Sequence, residues 1–161
     1  MSPAPGRGGI ALRRAGPDDA AAVAAVFSPS FRLLTFLPKL HTVEEDRRFI
    51  KDVILKDCEV TVAELAGRIV SFLARDGEEV RLLYTHPDSI GRGAGGRLLE
   101  AAKQAGVEAL ELWCFQANTA GRRFYEARGF KAVAFTDGTG NEEKTPDVRY
   151  RWERTWVSKK A

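Results

Sequence analysis

A glycine-rich segment in the middle of the chain has the composition of an anion site. Residues 90–96 read Ile-Gly-Arg-Gly-Ala-Gly-Gly, shortly after an apolar run, and residues 97–103 continue in a helical pattern. Glycine permits positive φ and lets a ligand approach the backbone closely. The free N–H groups at the start of a helix, together with the helix dipole, bind phosphate well. The segment therefore predicts a phosphate or pyrophosphate site, with positive charge nearby from Arg92 and Arg97.

Three other interpretations of residues 90–96 make different demands on the sequence. Gly91-x-Gly93-x-x-Gly96, with Glu111 downstream, matches the short pattern of a dinucleotide-binding fold, but that fold needs its glycines in a βαβ unit near the first strand. A nucleotide-hydrolase loop ends in Gly-Lys-Ser/Thr, and Gly96-Arg97-Leu98 excludes it. A flexible loop without a ligand stays open, although it leaves the gathering of four glycines directly before a helix unexplained.

Asn118 and Tyr125 are the candidate chemical groups in the second half of the chain. Residues 118–130 read Asn-Thr-Ala-Gly-Arg-Arg-Phe-Tyr-Glu-Ala-Arg-Gly-Phe, which predicts a helix over 119–128, capped by Asn118 and ended by Gly129. The residues by themselves favour a plain helix cap for Asn118 and a core aromatic for Tyr125. A phenol is also able to donate a proton to a reacting group, so both roles stay open.

Two further segments have compositions that suit the binding of an amine. Residues 31–41 are unusually apolar for a connection between helices and end in His41, which is a base, a polar pocket group or, more commonly, a residue beside a helix cap. The polar, glycine-rich and acidic segment 136–147 forms either a solvated loop or one wall of a pocket. In a pocket wall its acids would attract a cationic amine; these are Asp137, Glu142 and Glu143.

Helical patterns and a first strand come before these segments. A strand is predicted at Ile10–Arg14, and a helix begins at Pro17 and ends near Phe27, because Pro29 cannot continue it. A second helix begins after Thr42, which forms a capping-box pattern with the Glu three residues later.

Apolar runs predict further strands, and two tight turns join the first three of them. Ala66-Gly67 and Asp76-Gly77 are hairpin signals. The runs that they connect are therefore expected to be successive antiparallel strands; they lie at 59–65, 68–73 and 80–85. Later strands are predicted at 109–115, 131–135 and 148–152.

The composition is that of a soluble globular domain. The chain has 161 residues, of which 44% are hydrophobic and 29% charged, and its net charge is +3. These values exclude a disordered or collagen-like chain, and no apolar run is long enough to cross a membrane. The basic residues are spread along the chain, which speaks against a nucleic-acid partner.

The chain ends and the cysteines bear on domain bounds and location. We expect a disordered tail at 1–9, one domain at 10–157 and a short tail at 158–161. Cys58 and Cys114 give no disulfide framework, and the N-terminus lacks the apolar region of a secretory signal. A cytoplasmic, reducing location is therefore predicted, with no membrane partner and no metal.

The two motif segments together resemble those of the GNAT superfamily of acyl-CoA-dependent N-acetyltransferases. The pyrophosphate loop of that family, Gln/Arg-x-x-Gly-x-Gly/Ala, falls on residues 90–95, and its Asn-x-x-Ala-x-x-Phe-Tyr-x-x-x-Gly-Phe motif falls on 118–130. Ile90 stands where Gln or Arg is usual, and Gly121 where Ala is usual. Because the loop binds through backbone N–H groups, we expect CoA binding to survive the first departure.

The resemblance implies a fold and a reaction. The expected fold is α/β (α+β type), with a mixed, mostly antiparallel central sheet flanked by helices in a single domain. The implied reaction transfers the acetyl group of acetyl-CoA to a primary amine of a small molecule or peptide, by direct attack in a ternary complex. A non-catalytic acyl-CoA-binding sensor with the same fold is the alternative. An edge strand near the C-terminus could pair across a homodimer.

The resemblance also implies roles for individual residues. A bulged strand with residues 83–85 would pair with the pantetheine arm and polarise the thioester, and Tyr125 would protonate the leaving CoA thiolate as general acid. Glu79 is a hypothesis for the general base; its alternatives are a water chain in that role and a plain ion pair with Arg81. Residues 31–41 would line the acceptor cleft. The implied cofactor-binding residues are Leu83, Tyr84, Thr85, Gly91, Arg92, Gly93, Ala94, Gly95, Gly96 and Asn118.

Overall fold

Seven strands form one mixed sheet in the computed structural model, which describes residues 9–158. The strands are β1 (Ile10–Arg14), β2 (Glu59–Leu65), β3 (Arg68–Asp76), β4 (Glu79–Thr85), β5 (Ala109–Phe115), β6 (Lys131–Phe135) and β7 (Asp147–Glu153). Their order across the sheet is β1-β2-β3-β4-β5-β7-β6, and every neighbouring pair is antiparallel except β4 and β5. The predicted mixed, mostly antiparallel sheet is confirmed.

Helices cover both faces of this sheet. They are α1 (Ala20–Arg32), α2 (residues 43–57, with a π-helical turn at Ile50–Ile54), α3 (Ala94–Lys103), α4 (Thr119–Glu126) and α5 (Arg154–Ser158). Phe72 and Leu73 are neighbours on β3 and therefore point to opposite faces. Phe72 packs in the core cluster of α1 and α2, whereas Leu73 packs in the cluster of α3. The sheet thus separates two helical layers, each with its own apolar core.

The turns and the second helix form where the sequence predicts them. Ala66 and Gly67 both have positive φ, at 53° and 78°, in the turn between β2 and β3. The side chain of Thr42 accepts a hydrogen bond from the backbone N–H of Glu45 at 3.1 Å, and Glu45 Oε1 accepts one from Thr42 N at 2.9 Å. This reciprocal capping box begins α2 and confirms its predicted start.

The predicted end of α1 is wrong, because the helix continues through Pro29 to Arg32. Proline removes one backbone donor from the helix, which other contacts offset here. Ser30 Oγ lies 2.6 Å from the Val26 carbonyl oxygen and 2.7 Å from that of Thr85 on β4. Tertiary contacts of the last helical turn therefore outweigh the local effect of the proline.

The predicted tails lie almost wholly outside the described residues, and the domain bounds stay a prediction. Among residues 9–158, no helix is long and apolar enough to span a membrane. Cys58 and Cys114 are both buried, and neither forms a disulfide.

Candidate active site

The strands β4 and β5 are paired at one end and separate along the rest of their length. Glu79 at the start of β4 is in register with Glu111 on β5, and Glu111 N donates to the Glu78 carbonyl oxygen at 2.8 Å. The other edge of β5 pairs with β7 along the whole strand, and within residues 9–158 the β5-facing edge of β4 has no strand partner beyond Glu79. The gap exposes the backbone edge of the residues predicted to bind pantetheine; these are Leu83, Tyr84 and Thr85.

A bulge interrupts β4, although not at the predicted residues. Leu82 pairs with Ala74 and Val80 pairs with Arg75, so Arg81 is the extra residue on β4. The predicted bulged strand is therefore present, with the irregularity before Leu83 rather than within 83–85. A bulge increases the local twist of a strand, which turns the end of β4 relative to β5.

The closed end of the gap is held by charged side chains. Arg149 Nη1 and Nη2 donate to the two carboxylate oxygens of Glu79 at 2.8 and 2.5 Å. Arg149 Nε also donates to Glu111 at 2.8 Å, and Arg151 binds the other oxygen of Glu111. The ion-pair partner of Glu79 is therefore Arg149 and not Arg81, and both oxygens of the proposed base are already engaged.

The glycine-rich loop delivers backbone N–H groups to the open part of the gap. Gly93 is the N-cap of α3 with φ of 87°, and Gly91 has φ of 86°. The N–H groups in the first turn of α3 have no intrahelical partner, as in any helix. No side chain caps them either, so they are available to a ligand. A Cβ at Gly93 would meet nothing within 4 Å, which means that backbone conformation, not space, requires glycine there.

Three elements meet at Gly95. A Cβ placed on Gly95 would lie 3.5 Å from Cζ of Phe124 on α4 and 3.6 Å from Oγ1 of Thr85 at the end of β4. The start of α3, the end of β4 and the helix that carries Tyr125 are therefore packed together. This contact brings the two sequence motifs into one site, as the resemblance implies.

The arginines beside the glycine loop are only partly those predicted. Arg92 is exposed, but Arg97 is not free to serve the loop, because its Nη1 donates to the Ile10 carbonyl oxygen at 2.6 Å. Arg128, which sequence analysis missed, stacks on Phe124 with its guanidinium carbon 3.9 Å from the ring centroid. Its Nη2 lies 3.1 Å from the place of a Cβ on Gly96. Arg128 Nη1 donates to the Phe124 carbonyl oxygen at 3.0 Å, so Nη2 is the nitrogen that brings charge to the first turn of α3.

Asn118 caps α4, as predicted from the sequence. Its Oδ1 accepts a hydrogen bond from Gly121 N at 3.0 Å. A Cβ on Gly121 would lie 2.5 Å from Asn118 Nδ2, so the glycine that replaces the usual alanine lets the amide lie against the helix. Contact of Asn118 with the cofactor stays a prediction.

Tyr125 is packed as a core aromatic and keeps a hydroxyl without a partner. Its ring centroid lies 5.2 Å from that of Phe124, 5.7 Å from Phe130 and 6.1 Å from Tyr150. Burial raises the pKa of Tyr125 above its usual value, and the Cys114 thiol and Tyr84 raise it further. Among residues 9–158 no hydrogen bond to its hydroxyl occurs. The phenol is thus neutral and available to a ligand.

A cavity of about 770 Å³ lies beside β4, on the face covered by α1 and α2. Phe27 and Phe31 of α1 and Phe49 of α2 form its aromatic walls, and Leu82 of β4 also lines it. Nearly half of its remaining lining comes from residues 34–41, which agrees with the predicted acceptor cleft. A volume of this order is typical of a small-molecule site.

The acidic loop 136–146 closes one side of this cavity. Glu142 and Glu143 line it, and Glu142 Oε1 is 2.5 Å from Nε2 of His41. The expectation for Asp137 is wrong: it is not in the lining, and its Oδ1 accepts hydrogen bonds from the N–H and Oγ1 of Thr139 at 3.0 and 2.8 Å. Two of the three predicted acids therefore belong to the pocket wall.

Comparison with known proteins supports one family. A family model described as an acetyltransferase (GNAT) domain matches residues 56–132, a range that contains β4, the glycine loop and the Asn118–Tyr125 motif. Together with the N-acetyltransferase relatives, this match supports a GNAT superfamily acetyltransferase that depends on acetyl-CoA, as the sequence resemblance predicts.

The similar proteins are covered along almost their whole length. An uncharacterized N-acetyltransferase from Archaeoglobus fulgidus is 29% identical over 148 residues, which cover 81% of this chain and 99% of the relative. A GCN5-related N-acetyltransferase from Rhodopseudomonas palustris is 26% identical with a TM-score of 0.72, covering 89% of this chain and 94% of that one. The PaiA N-acetyltransferase of Thermoplasma acidophilum, solved in complex with coenzyme A, is similar in fold, with a TM-score of 0.72, 20% identity and coverage of 89% and 98%.

Proposed function

We propose that this protein is a GNAT-type enzyme that transfers the acetyl group of acetyl-CoA to a primary amine of a small molecule or peptide, by direct attack in a ternary complex. The observation that carries the proposal is that β4 borders two spaces at once. Its open backbone edge faces the gap toward β5, and its Leu82 side chain lines the aromatic cavity. A cofactor in the gap and an amine in the cavity would therefore meet at one strand.

The cofactor side is proposed to use backbone groups. The N–H groups at the start of α3 would hold the pyrophosphate, with help from Arg92 and Arg128; the loop residues are Gly91, Gly93, Ala94, Gly95 and Gly96. The edge of β4 at Leu83, Tyr84 and Thr85 would bind the pantetheine arm, and Asn118 would reach it from the start of α4. A backbone donor to the thioester carbonyl is typically worth about 2.7–4 kcal/mol in the transition state. Acetyl-CoA supplies the activated acetyl group.

Tyr125 is proposed to serve the departing thiolate. Its raised pKa means that it keeps its proton over the whole working pH range. The same raised pKa makes complete proton transfer harder, so its main contribution would be a hydrogen bond to sulfur as the carbon–sulfur bond breaks. The amine nitrogen loses one proton in the reaction, and a water chain is the alternative acceptor to Glu79.

A Tyr125→Phe variant tests this function, because phenylalanine preserves the ring packing. We expect acetyl-CoA affinity to be unchanged and kcat for amine acetylation to fall by roughly 10²–10³-fold, the usual cost of losing one hydrogen-bond donor to a developing negative charge. Tyr150→Phe is the matched control: that ring lies 6.1 Å from Tyr125, but its hydroxyl is bound to Glu126 and Arg122. The control should lose stability and keep its kcat.

The outcome separates an enzyme from a sensor. If the wild-type protein binds acetyl-CoA but releases no CoA with any primary amine, the protein is a non-catalytic acyl-CoA sensor. If Tyr125→Phe turns over as fast as the wild type, Tyr125 is not the acid. A cytoplasmic location and a homodimer stay predictions.

A further inference from the structure

The carboxylates that line the aromatic cavity differ in whether they have partners. Five of them contribute to its wall within the described residues: Glu45, Asp46, Asp52, Glu142 and Glu143. A carboxylate that is already bound to a cation or a cap has less capacity to bind a ligand. The partners of each therefore indicate which one is available to an incoming amino group.

Two of these carboxylates hold α2 in place. Asp46 is buried and accepts hydrogen bonds from Ser28 Oγ at 2.7 Å and from Arg32 Nη1 at 2.8 Å. Glu45 completes the capping box with Thr42, which lowers the pKa of its carboxyl. Both have structural roles that do not depend on a ligand.

The remaining three lie toward the opening of the cavity. Glu142 is hydrogen bonded to His41, and Asp52 is exposed on α2. The side chain of Glu143 is different, because it is half-buried and forms no ion pair or hydrogen bond with any part of residues 9–158. Glu143 is therefore the half-buried cavity carboxylate whose acceptor capacity is unused.

Glu143 lines the same cavity as Leu82, which stands on the strand that is proposed to hold the thioester. Burial raises the pKa of Tyr84 on β4, and the charge of Glu143 raises it further. The Tyr84 ring is 5.3 Å from Phe27 and 6.2 Å from Phe31, centroid to centroid, and both phenylalanines line the cavity. The unpartnered carboxylate thus shares its cavity with both the aromatic wall and β4.

The walls of the cavity select for the rest of the acceptor. Phe27, Phe31 and Phe49 supply aromatic surface, and leucines at 34, 37 and 40 add further apolar area. A polyamine or sugar would make fewer apolar contacts with this surface, and its charged or hydroxyl groups would lose hydration there. An aromatic or aliphatic body would bury apolar area at about 25 cal/mol per Å².

We propose that Glu143 binds the amino group of the acceptor while the apolar body of the acceptor packs against Phe27, Phe31 and Phe49. The acceptor class is then a hydrophobic primary amine, and Glu143 determines both its orientation and its selection over neutral analogues. This inference rests on the proposed function, because it assigns a substrate class to the same site.

The test uses 2-phenylethylamine as the hydrophobic amine and spermidine as the hydrophilic one. Calorimetry of each amine is carried out on the protein saturated with free CoA, a complex that cannot react. We expect 2-phenylethylamine to bind and spermidine to bind more weakly. A charge-assisted hydrogen bond is lost in Glu143→Gln, so its affinity for 2-phenylethylamine should fall about 10- to 100-fold.

Asp137→Asn is the matched control, because Asp137 belongs to the same loop but not to the cavity lining. It should leave amine binding unchanged, and both variants should bind CoA as the wild type does. Equal loss of amine affinity in the two variants would show that the structure of the loop, and not the Glu143 carboxylate, determines amine binding. Tighter binding of spermidine than of 2-phenylethylamine would overturn the substrate class. If CoA itself does not bind the wild type, the proposed function fails instead.

Discussion

Glu79 and Arg149 form a two-point ion pair across the closed end of the strand gap. Both terminal nitrogens of Arg149 donate to the Glu79 carboxylate, at 2.8 and 2.5 Å. Arg149 stands on β7 and Glu79 on β4, with β5 between them in the sheet order. The pair therefore ties together three strands at the point where β4 and β5 begin to separate.

Replacement of Glu79 by glutamine should affect stability and not the chemistry. Loss of a partly exposed pair costs about 1 kcal/mol of unfolding free energy, and the loss should shrink in high salt. The pH dependence of kcat/KM should match that of the wild type, because a carboxylate with both oxygens bound to Arg149 has little capacity left to accept the amine proton. Disappearance of the acidic limb of that profile in Glu79→Gln would instead establish Glu79 as the base.

The ionisation of the tyrosines provides a pH test of the site. The chain has three tyrosines, at 84, 125 and 150, and burial raises the pKa of each above its usual value. We expect an ultraviolet titration of the folded protein to show no tyrosinate up to about pH 10, the usual tyrosine pKa, whereas the denatured chain titrates there.

The same shifts determine how stability changes in alkali. A raised folded-state pKa contributes stability that is fully present below about pH 10, and this contribution declines as pH rises further, because only the unfolded chain then ionises. Unfolding free energy should therefore fall above pH 10 by this route. A reversible tyrosinate signal below pH 10 that disappears in Tyr125→Phe would contradict the buried, neutral Tyr125.

The helix caps could be predicted from the sequence, because each cap depends on residues that are close together in the chain. The capping box at Thr42 and the cap at Asn118 involve partners three residues away, and both are confirmed. The helix after the glycine loop follows from the same kind of local chemistry. These features are predictable because the groups that form the hydrogen bonds are close in the chain.

Other features depend on contacts between distant residues. Arg149 is 70 residues from Glu79, and Arg97 reaches Ile10, 87 residues earlier in the chain. Pro29 is tolerated because Ser30 contacts Thr85, which is 55 residues away. No local pattern specifies such partners, so the sequence could not show that Arg97 is occupied or that Glu79 is paired with Arg149.

The glycine at position 121 should be coupled energetically to Asn118. In an Asn118→Ala background, Gly121→Ala should stabilise the protein by about 1 kcal/mol, the helix-propensity difference between the two residues. With Asn118 present, the new Cβ displaces the amide from its place over the helix and the cap is weakened, which offsets that gain. Denaturant unfolding of the four proteins measures the coupling, and strict additivity would refute the close approach of the amide.

Acetyl-CoA binding to the glycine loop is the central claim, and calorimetry on the wild type and two glycine variants tests it most directly. Gly93→Glu places a negative charge at the N-terminus of α3. Gly106→Glu is its control just beyond the other end of that helix, with a similarly positive φ of 82° and open space around it. Both variants therefore carry the same backbone strain and the same added charge.

We predict micromolar binding of acetyl-CoA by the wild type and by Gly106→Glu, none by Gly93→Glu, and none of NAD by any of the three. Absence of acetyl-CoA binding in the wild type, or retention of binding in Gly93→Glu, would contradict the account.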